Sequence, residues 1–306
     1  MLQLLLGGSG SGKTTLLYQR IRTRAEKGEK SILLVPEQFT SSTEGRIYRE
    51  LGDALSGMVE SFSFTSLAEK ILSTEGGAAV QTLSDAGRAV LVRRALEELQ
   101  DNVHYYHRHR RSAAFCQMAA QTIDELKSAG LSGRQLAQLA GACGAESGKL
   151  SELALIFQGY ETLLARSGMD PSDRLELAGA RLEEALARHS LPEFLRDRAV
   201  FIDEFDTFNA PKKRLLGALL AALPSVTVAL CDDGAPLLPG DLSLFSGAKQ
   251  VAAQLRQLAR KNGAEVAVPQ LLRKDLRHRN APGLAAVAEL LETGSCTADA
   301  PAGEVR

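Results

Sequence analysis

The segment Gly7-Gly8-Ser9-Gly10-Ser11-Gly12-Lys13-Thr14 reads as an unbroken G-x-x-x-x-G-K-T and is followed by Thr15. Glycines let the backbone turn tightly enough to aim several N–H groups at one anion, at the N-terminus of a helix whose dipole favours negative charge. Lys13 is then expected to reach the β- and γ-phosphates of ATP, and the Thr14 hydroxyl to ligate a bridging Mg²⁺. A second set of candidates follows the apolar run Ala199 to Ile202, where Asp203-Glu204 stand together. Asp203 is placed to hold the Mg²⁺ opposite Thr14, in part through water, and Glu204 to orient or deprotonate an attacking water. Lys13, Asp203 and Glu204 are thus the catalytic candidates, and Gly7 to Thr15 the nucleotide-binding ones.

These residues need a parallel sheet to bring them together. Leu2, Leu4, Leu5 and Leu6 form a buried strand leading into the loop, and Leu16, Leu17 and Ile21 the apolar side of the helix after it. Ser31 to Val35 and Met58 to Phe64 are further strands, the latter leading to a helix from Leu67 to Leu72 capped by Thr65 or Ser66. From Leu83 to Arg196 the period turns helical. One stripe runs through Leu91, Val92, Ala95, Leu96 and Leu99, and another through Phe115, Met118, Ala119, Ile123 and Leu126. A third holds Leu153, Ile156, Phe157, Tyr160, Leu163 and Leu164, and Asp170-Pro171 opens a fourth helix. Strands return at Ala199 to Ile202 and Val226 to Leu230, each ending in acids, Asp203-Glu204 and Asp232-Asp233. The expected fold is α/β: a P-loop NTPase (RecA-like) parallel sheet interrupted by an all-helical inserted subdomain. The expected divisions are 1–82 and 196–292 for the core, 83–195 for the insertion and 293–306 for a frayed tail.

Composition excludes several classes. Of 306 residues, 44% are hydrophobic and 24% charged, which is ordinary for a folded globular chain and unlike a disordered or collagen-like one. The 36 basic residues balance 37 acidic ones, so any nucleic-acid surface must be local. No apolar run is long enough to span a membrane and no basic leader precedes the first strand, which points to the cytoplasm. Cys116, Cys143, Cys231 and Cys296 form no C-x-x-C pair, against zinc or an iron–sulfur cluster, and are expected to be reduced and mostly buried.

The order of parts resembles superfamily-1 helicases of the UvrD and PcrA kind, and more closely the N-terminal region of the AddB (RexB) family of helicase–nuclease subunits. The phosphate loop carries the resemblance first, then Leu33-Leu34-Val35-Pro36-Glu37-Gln38-Phe39-Thr40 and Ser61-Phe62-Ser63-Phe64-Thr65-Ser66-Leu67-Ala68. Tyr160 to Asp173 and Phe201-Ile202-Asp203-Glu204-Phe205 continue it. The resemblance implies an ATP-binding, helicase-like module working with an AddA-like motor subunit in double-strand break repair and homologous recombination, by end resection and Chi recognition. Family members continue into a second helicase-like domain and an iron–sulfur nuclease, and the resemblance implies that those parts lie outside these residues. Only six residues precede Gly7, short of the adenine-reading glutamine of active helicases, and Cys231-Asp232-Asp233-Gly234 lacks their γ-phosphate-sensing glutamine. By the resemblance Arg277 and Arg279 are candidates for the arginine that begins the next helicase motif, while the later arginine-bearing motif lies beyond these residues, so weak hydrolysis or none is expected of this stretch by itself.

By the same resemblance Phe39, Thr40, Phe62, Phe64 and Thr65 face single-stranded or duplex-end DNA. Phe rings stack on bases and hydroxyls bond phosphates; the competing reading packs Phe62 and Phe64 under the next helix. His104-Tyr105-Tyr106-His107-Arg108-His109-Arg110-Arg111 is the densest basic cluster, read either as a solvated helix junction or as a nucleic-acid contact. A metal site at its histidines lacks a completing carboxylate or cysteine. A P-loop kinase of a small molecule, and a non-catalytic scaffold for a motor subunit, are the other functional readings.

Overall fold

A computed structural model describes residues 1–77, 81–144 and 147–293, and the chain divides into two compact units. The first comprises Met1–Leu67, Ala185–Phe208 and the chain from Leu216 onward; the second comprises Ala68–Glu184 and Asn209–Leu215. The expected tail and Cys296 lie outside the described residues.

The first unit opens with β1 (Leu2–Gly7), α1 (Lys13–Glu26) and β2 (Ser31–Leu34). Next come α2 (Thr40–Leu51), the short α3 (Asp53–Ser56), β3 (Val59–Phe62) and α4 (Phe64–Glu75), which runs on into the second unit. The helix α4 starts earlier than expected, because Ser63 is its cap: Ser63 Oγ accepts the Ser66 N–H at 3.1 Å while Ser66 Oγ accepts the Ser63 N–H at 2.8 Å. Each hydroxyl satisfies an N–H that the helix start would leave unpaired.

The second unit is built on α5 (Asp85–Glu98), α6 (Ala113–Ser128), α7 (Gly133–Ala140), α8 (Ser147–Ser167) and most of α9 (Pro171–Ala187), which passes into the first unit at Ala185. Its core takes Leu91, Val92, Ala95 and Leu96 from α5, Ala119 and Ile123 from α6, and Ile156, Phe157, Tyr160, Leu163 and Leu164 from α8. Met118 departs from its stripe and is 56% exposed. The Tyr160-to-Asp173 stretch supplies a buried polar staple. Tyr160 donates to Asp170 Oδ1 at 2.6 Å, and Lys127 Nζ donates to Asp170 Oδ2 at 2.9 Å and Asp173 Oδ2 at 2.8 Å. Burial and the hydrogen bond to Asp170 push the Tyr160 hydroxyl far above its ordinary range.

The chain then adds β4 (Ala199–Ile202), α10 (Ala210–Ala222), β5 (Ser225–Cys231), α11 (Ser246–Lys261), β6 (Gln270–Leu272) and α12 (Pro282–Thr293). All six strands are parallel, in the order β3-β2-β4-β5-β1-β6. Strands covered on both faces must be apolar throughout, and β2 and β4 are buried at every position. On one face Leu17, Tyr18, Ile21 and Ala25 of α1 join Ile47 and Leu51 of α2 over Leu5, Leu33, Phe201 and Ala229. Because β5 separates β1 from β4, the carboxyl ends of those strands stand two strand spacings apart, about 10 Å.

Candidate functional site

Gly10 and Gly12 hold the left-handed conformation, φ 78° and 88°, and Gly12 caps the start of α1. A Cβ on Gly10 would stand 2.6 Å from Arg277 Cβ, and one on Gly12 2.9 Å from Leu276 Cδ1, so bare backbone is required at both places. The turn after β6 lies against the loop: Leu276 N–H donates to Gly10 O at 3.0 Å and Arg277 Nη1 to Ser9 Oγ at 3.1 Å. Asp275 holds that turn, accepting the N–H groups of Arg277 at 2.9 Å and His278 at 3.0 Å. Lys13 folds back over the loop and donates to the Gly7 and Gly8 carbonyls, both at 2.8 Å. Ser11 Oγ is buried without a hydrogen-bond partner.

A cavity of about 440 Å³ opens beside the loop, lined by Ser9, Gly10, Gly12, Lys13, Thr14 and Thr15, and opposite them by Asp203 and Glu204. Its size falls in the range of about 300–1,000 Å³ usual for small-molecule sites. Gly7, Gly8 and Ser11 turn the other way and line, with Ser9, a second cavity that also holds Asp232 and Asp233. The nucleotide-binding candidates are therefore divided between two faces of one loop.

The Asp203 N–H donates to Leu34 O at 3.1 Å, which extends the β2–β4 pairing by one residue and carries the buried carboxylate to the strand end. Glu204 takes φ 64°, a conformation that costs a non-glycine residue about 1–2 kcal/mol. Its carboxyl is held above the usual range, first by desolvation and then by Asp203, against the opposing pull of Arg46 and Lys13. A cavity bearing a lysine, a threonine hydroxyl, two adjacent carboxylates and bare loop backbone has the donor set for a polyphosphate and a divalent cation, and the residues fit both.

Arg46 of α2 also lines this cavity, with its guanidinium carbon 5.0 Å from the centre of the Tyr18 ring. Burial pushes the Tyr18 hydroxyl up to about 12, and the face of its neutral ring attracts the guanidinium. Nothing in the spacing of Thr40 to Leu51 marks Arg46, whose arrival in the cavity is a product of how α2 packs. Arg277 lines the cavity too.

The acids after β5 do not join Lys13. Asp232 Oδ1 accepts the Gly234 N–H at 2.6 Å, and burial raises its carboxyl above the usual range. Asp233 pairs with Lys249 Nζ at 3.3 Å, an ammonium that also meets Asp241 at 3.3 Å.

Of the other candidates, Phe39 is 37% exposed, Thr65 is exposed, and Thr40 and Phe62 are half-buried. Phe64 is 2% exposed and packs edge-on against Phe205 and Phe208, with ring centres 5.3 and 6.0 Å away. It is a core residue with no face open to a base. Among the described cysteines only Cys116 is buried, whereas Cys143 and Cys231 are exposed, contrary to the expectation of mostly buried thiols. Among the described residues no cluster of three or more His, Cys, Asp or Glu can hold a metal, the basic cluster included, and no helix is long and apolar enough to cross a membrane.

A glycine-rich turn at the carboxyl end of β1, across a cavity from the acids that follow β4 two strands away, puts the chain among α/β proteins whose parallel strands open a cleft at their carboxyl ends. The chain belongs to the family described as "ADDB, N-terminal", whose model matches residues 4–288. Three similar relatives each bear the name of an ATP-dependent helicase/deoxyribonuclease subunit, of the B type. The protein of Desulforudis audaxviator is 34% identical over 296 residues, covering 93% of this chain and 25% of the relative. That of Moorella thermoacetica is 33% identical over 299 residues, with shares of 93% and 25%. That of Clostridium perfringens is 29% identical over 283 residues, with shares of 91% and 24%. The chain thus spans about a quarter of the length of these relatives.

Proposed function

We propose that this chain is the ATP-binding, helicase-like module of an AddAB-type helicase–nuclease, acting with an AddA-like motor on DNA ends in double-strand break repair and homologous recombination. In this reading the parallel sheet is a RecA-like P-loop core, the helical unit is its inserted subdomain, and the recombination role includes resection and Chi recognition. The observation that carries the nucleotide half is the shared cavity of Lys13, Thr14, Asp203 and Glu204. Family membership and the relatives' names support the helicase–nuclease half.

ATP would lie along Ser9 to Thr15, its Mg²⁺ on the Thr14 hydroxyl and, in part through water, on Asp203. Bound Mg²⁺ would neutralise the phosphate oxygens. The chain's own residues do the rest. Lys13 exchanges two carbonyl acceptors for phosphate oxygens, which are stronger partners. Arg46 and Arg277 add positive charge at the rim. Glu204, poised by its raised affinity for a proton, accepts one from a water. Autonomous turnover is weak or nil in this reading, because Cys231-Asp232-Asp233-Gly234 stand where active helicases of this kind carry a γ-phosphate-sensing glutamine. Phe39, Thr40, Phe62 and Thr65 are the surface offered to single-stranded or end DNA.

Equilibrium titration with fluorescent ATP tests the nucleotide half. Wild type binds in the presence of Mg²⁺, while Lys13→Ala weakens binding about 10- to 150-fold, the value of a charge-assisted hydrogen bond to a phosphate. Equal affinity of the two proteins removes the reading.

A further inference from the structure

The basic cluster of the helical unit does not fray into solvent. Glu152 of α8, 7% exposed, accepts the backbone N–H groups of His104 at 2.8 Å, of Tyr105 at 2.8 Å and of Tyr106 at 3.3 Å. One buried carboxylate therefore fixes the backbone that presents the cluster. The Tyr105 ring lies over Gly148, where a Cβ would come within 3.0 Å of Cε2. Tyr106 and His109 each stack on Phe115, at 5.4 Å with interplanar angles of 29° and 28°.

These rings, with Met118 and Lys149, line a groove of about 440 Å³. Tyr105 is 57% exposed and Met118 56%, so apolar surface is left uncovered there. Among the described residues no carboxylate lines the groove. The sequence beside it supplies Arg108, Arg110 and Arg111, and the buried Glu152 is already engaged by the N–H groups.

We infer that this groove is a stacking site for a base of single-stranded DNA, with the arginines of the 104–111 loop holding the flanking phosphates. Flat ring faces reward a flat partner of any base sequence, and a cationic border favours a polyanion over a protein surface of mixed charge. Bases inside a duplex already cover one another, so the occupant is a single strand. The inference rests on the DNA half of the functional reading and not on its nucleotide half.

The test is fluorescence anisotropy of the whole chain with a labelled oligo-dT and with an abasic strand of equal length, at two salt concentrations. Wild type is expected to prefer oligo-dT. Tyr105→Ala should weaken oligo-dT binding about 5- to 150-fold, the range for one lost stacking partner, and leave the abasic strand unaffected. Tyr105→Trp should restore it. Arg108→Ala with Arg111→Ala should flatten the log–log salt slope by about 1.4, two phosphates on a single strand.

Equal binding of the two strands by wild type, or oligo-dT binding by Tyr105→Ala at the wild-type level, overturns the proposal and is the pattern a polypeptide-binding groove would give. If Phe39→Ala abolishes binding while Tyr105→Ala does not, the strand-end DNA surface stands and the groove falls. If wild type binds no DNA, both fall, and ATP titration of Lys13→Ala still reports separately on the nucleotide site.

Discussion

Replacing Lys127 by Met leaves the Asp170 carboxylate, 1% exposed, without its cation. Lys127 Nζ makes close contacts to both Asp170 and Asp173 and is itself only 10% exposed along its side chain. Removing one partner of a buried ion pair costs about 3–5 kcal/mol, because the remaining charge stays desolvated. Two features place this case near the low end. The Tyr160 hydroxyl still donates to Asp170, and Asp173, with 32% of its side chain exposed, can regain water. The expected loss is about 3 kcal/mol. In urea unfolding followed by far-UV circular dichroism, a slope of about 1–3 kcal/mol/M turns that into a midpoint lowered by about 1–3 M. Asp170→Asn in the Lys127→Met background removes the stranded charge and keeps an oxygen for Tyr160, so it should recover at least half of the loss, a coupling that a double-mutant cycle reads directly. A single variant within about 0.5 kcal/mol of wild type, the ordinary surface range, or a double variant no better than the single, would refute the assignment of this cluster as a structural staple.

Three further outcomes are expected. Glu204 binds its proton more tightly in the folded chain, so its contribution favours folding more as pH falls from above its raised value toward 4.5; Glu204→Gln should therefore raise the melting temperature at pH 7 and match wild type near pH 4, and the same difference at both pH values would contradict the desolvated carboxylate. Phe64→Ala should cost about 3–5 kcal/mol by emptying a core position, whereas Phe39→Ala should stay within about 0.5 kcal/mol and change only the affinity for single-stranded DNA; denaturation and anisotropy separate the two. Arg46→Ala should weaken ATP about 10-fold or more and lower stability by about 0.5–1 kcal/mol through loss of its contact with Tyr18, and calorimetric titration showing unchanged ATP affinity would remove it from the site.

The loop and its flanking elements were legible because the signals are local: an apolar run, glycines at turn positions, and a lysine opening a helix. The placement of Asp203 followed from the rule that parallel strands present ligand sites at their carboxyl ends, together with the apolar Ala199 to Ile202. What escaped depends on partners distant in sequence. β6 is three residues long, followed by Arg273 and Lys274, and has no period to read; it exists because it pairs with β1. Its following turn brings Leu276 and Arg277 onto Gly10 and Ser9, a contact between distant stretches of the chain that no spacing announces. Phe62 and Phe64 look alike in sequence, yet one ends a strand half-buried and the other begins a helix under Phe205 and Phe208. The cap choice at Ser63 decides that difference, by starting α4 before the Phe64 ring rather than after it.

In the proposed function Lys13 and Asp203 face one magnesium nucleotide across the cavity between the β1 and β4 ends. Calorimetric titration of ATP into wild type and Asp203→Asn, each with and without Mg²⁺, tests it most directly. Mg²⁺ is expected to tighten ATP binding to wild type, and Asp203→Asn to lose this gain while keeping its metal-free affinity. An Asp203→Asn protein whose response to Mg²⁺ equals that of wild type, or a wild type that takes up no ATP, would contradict it.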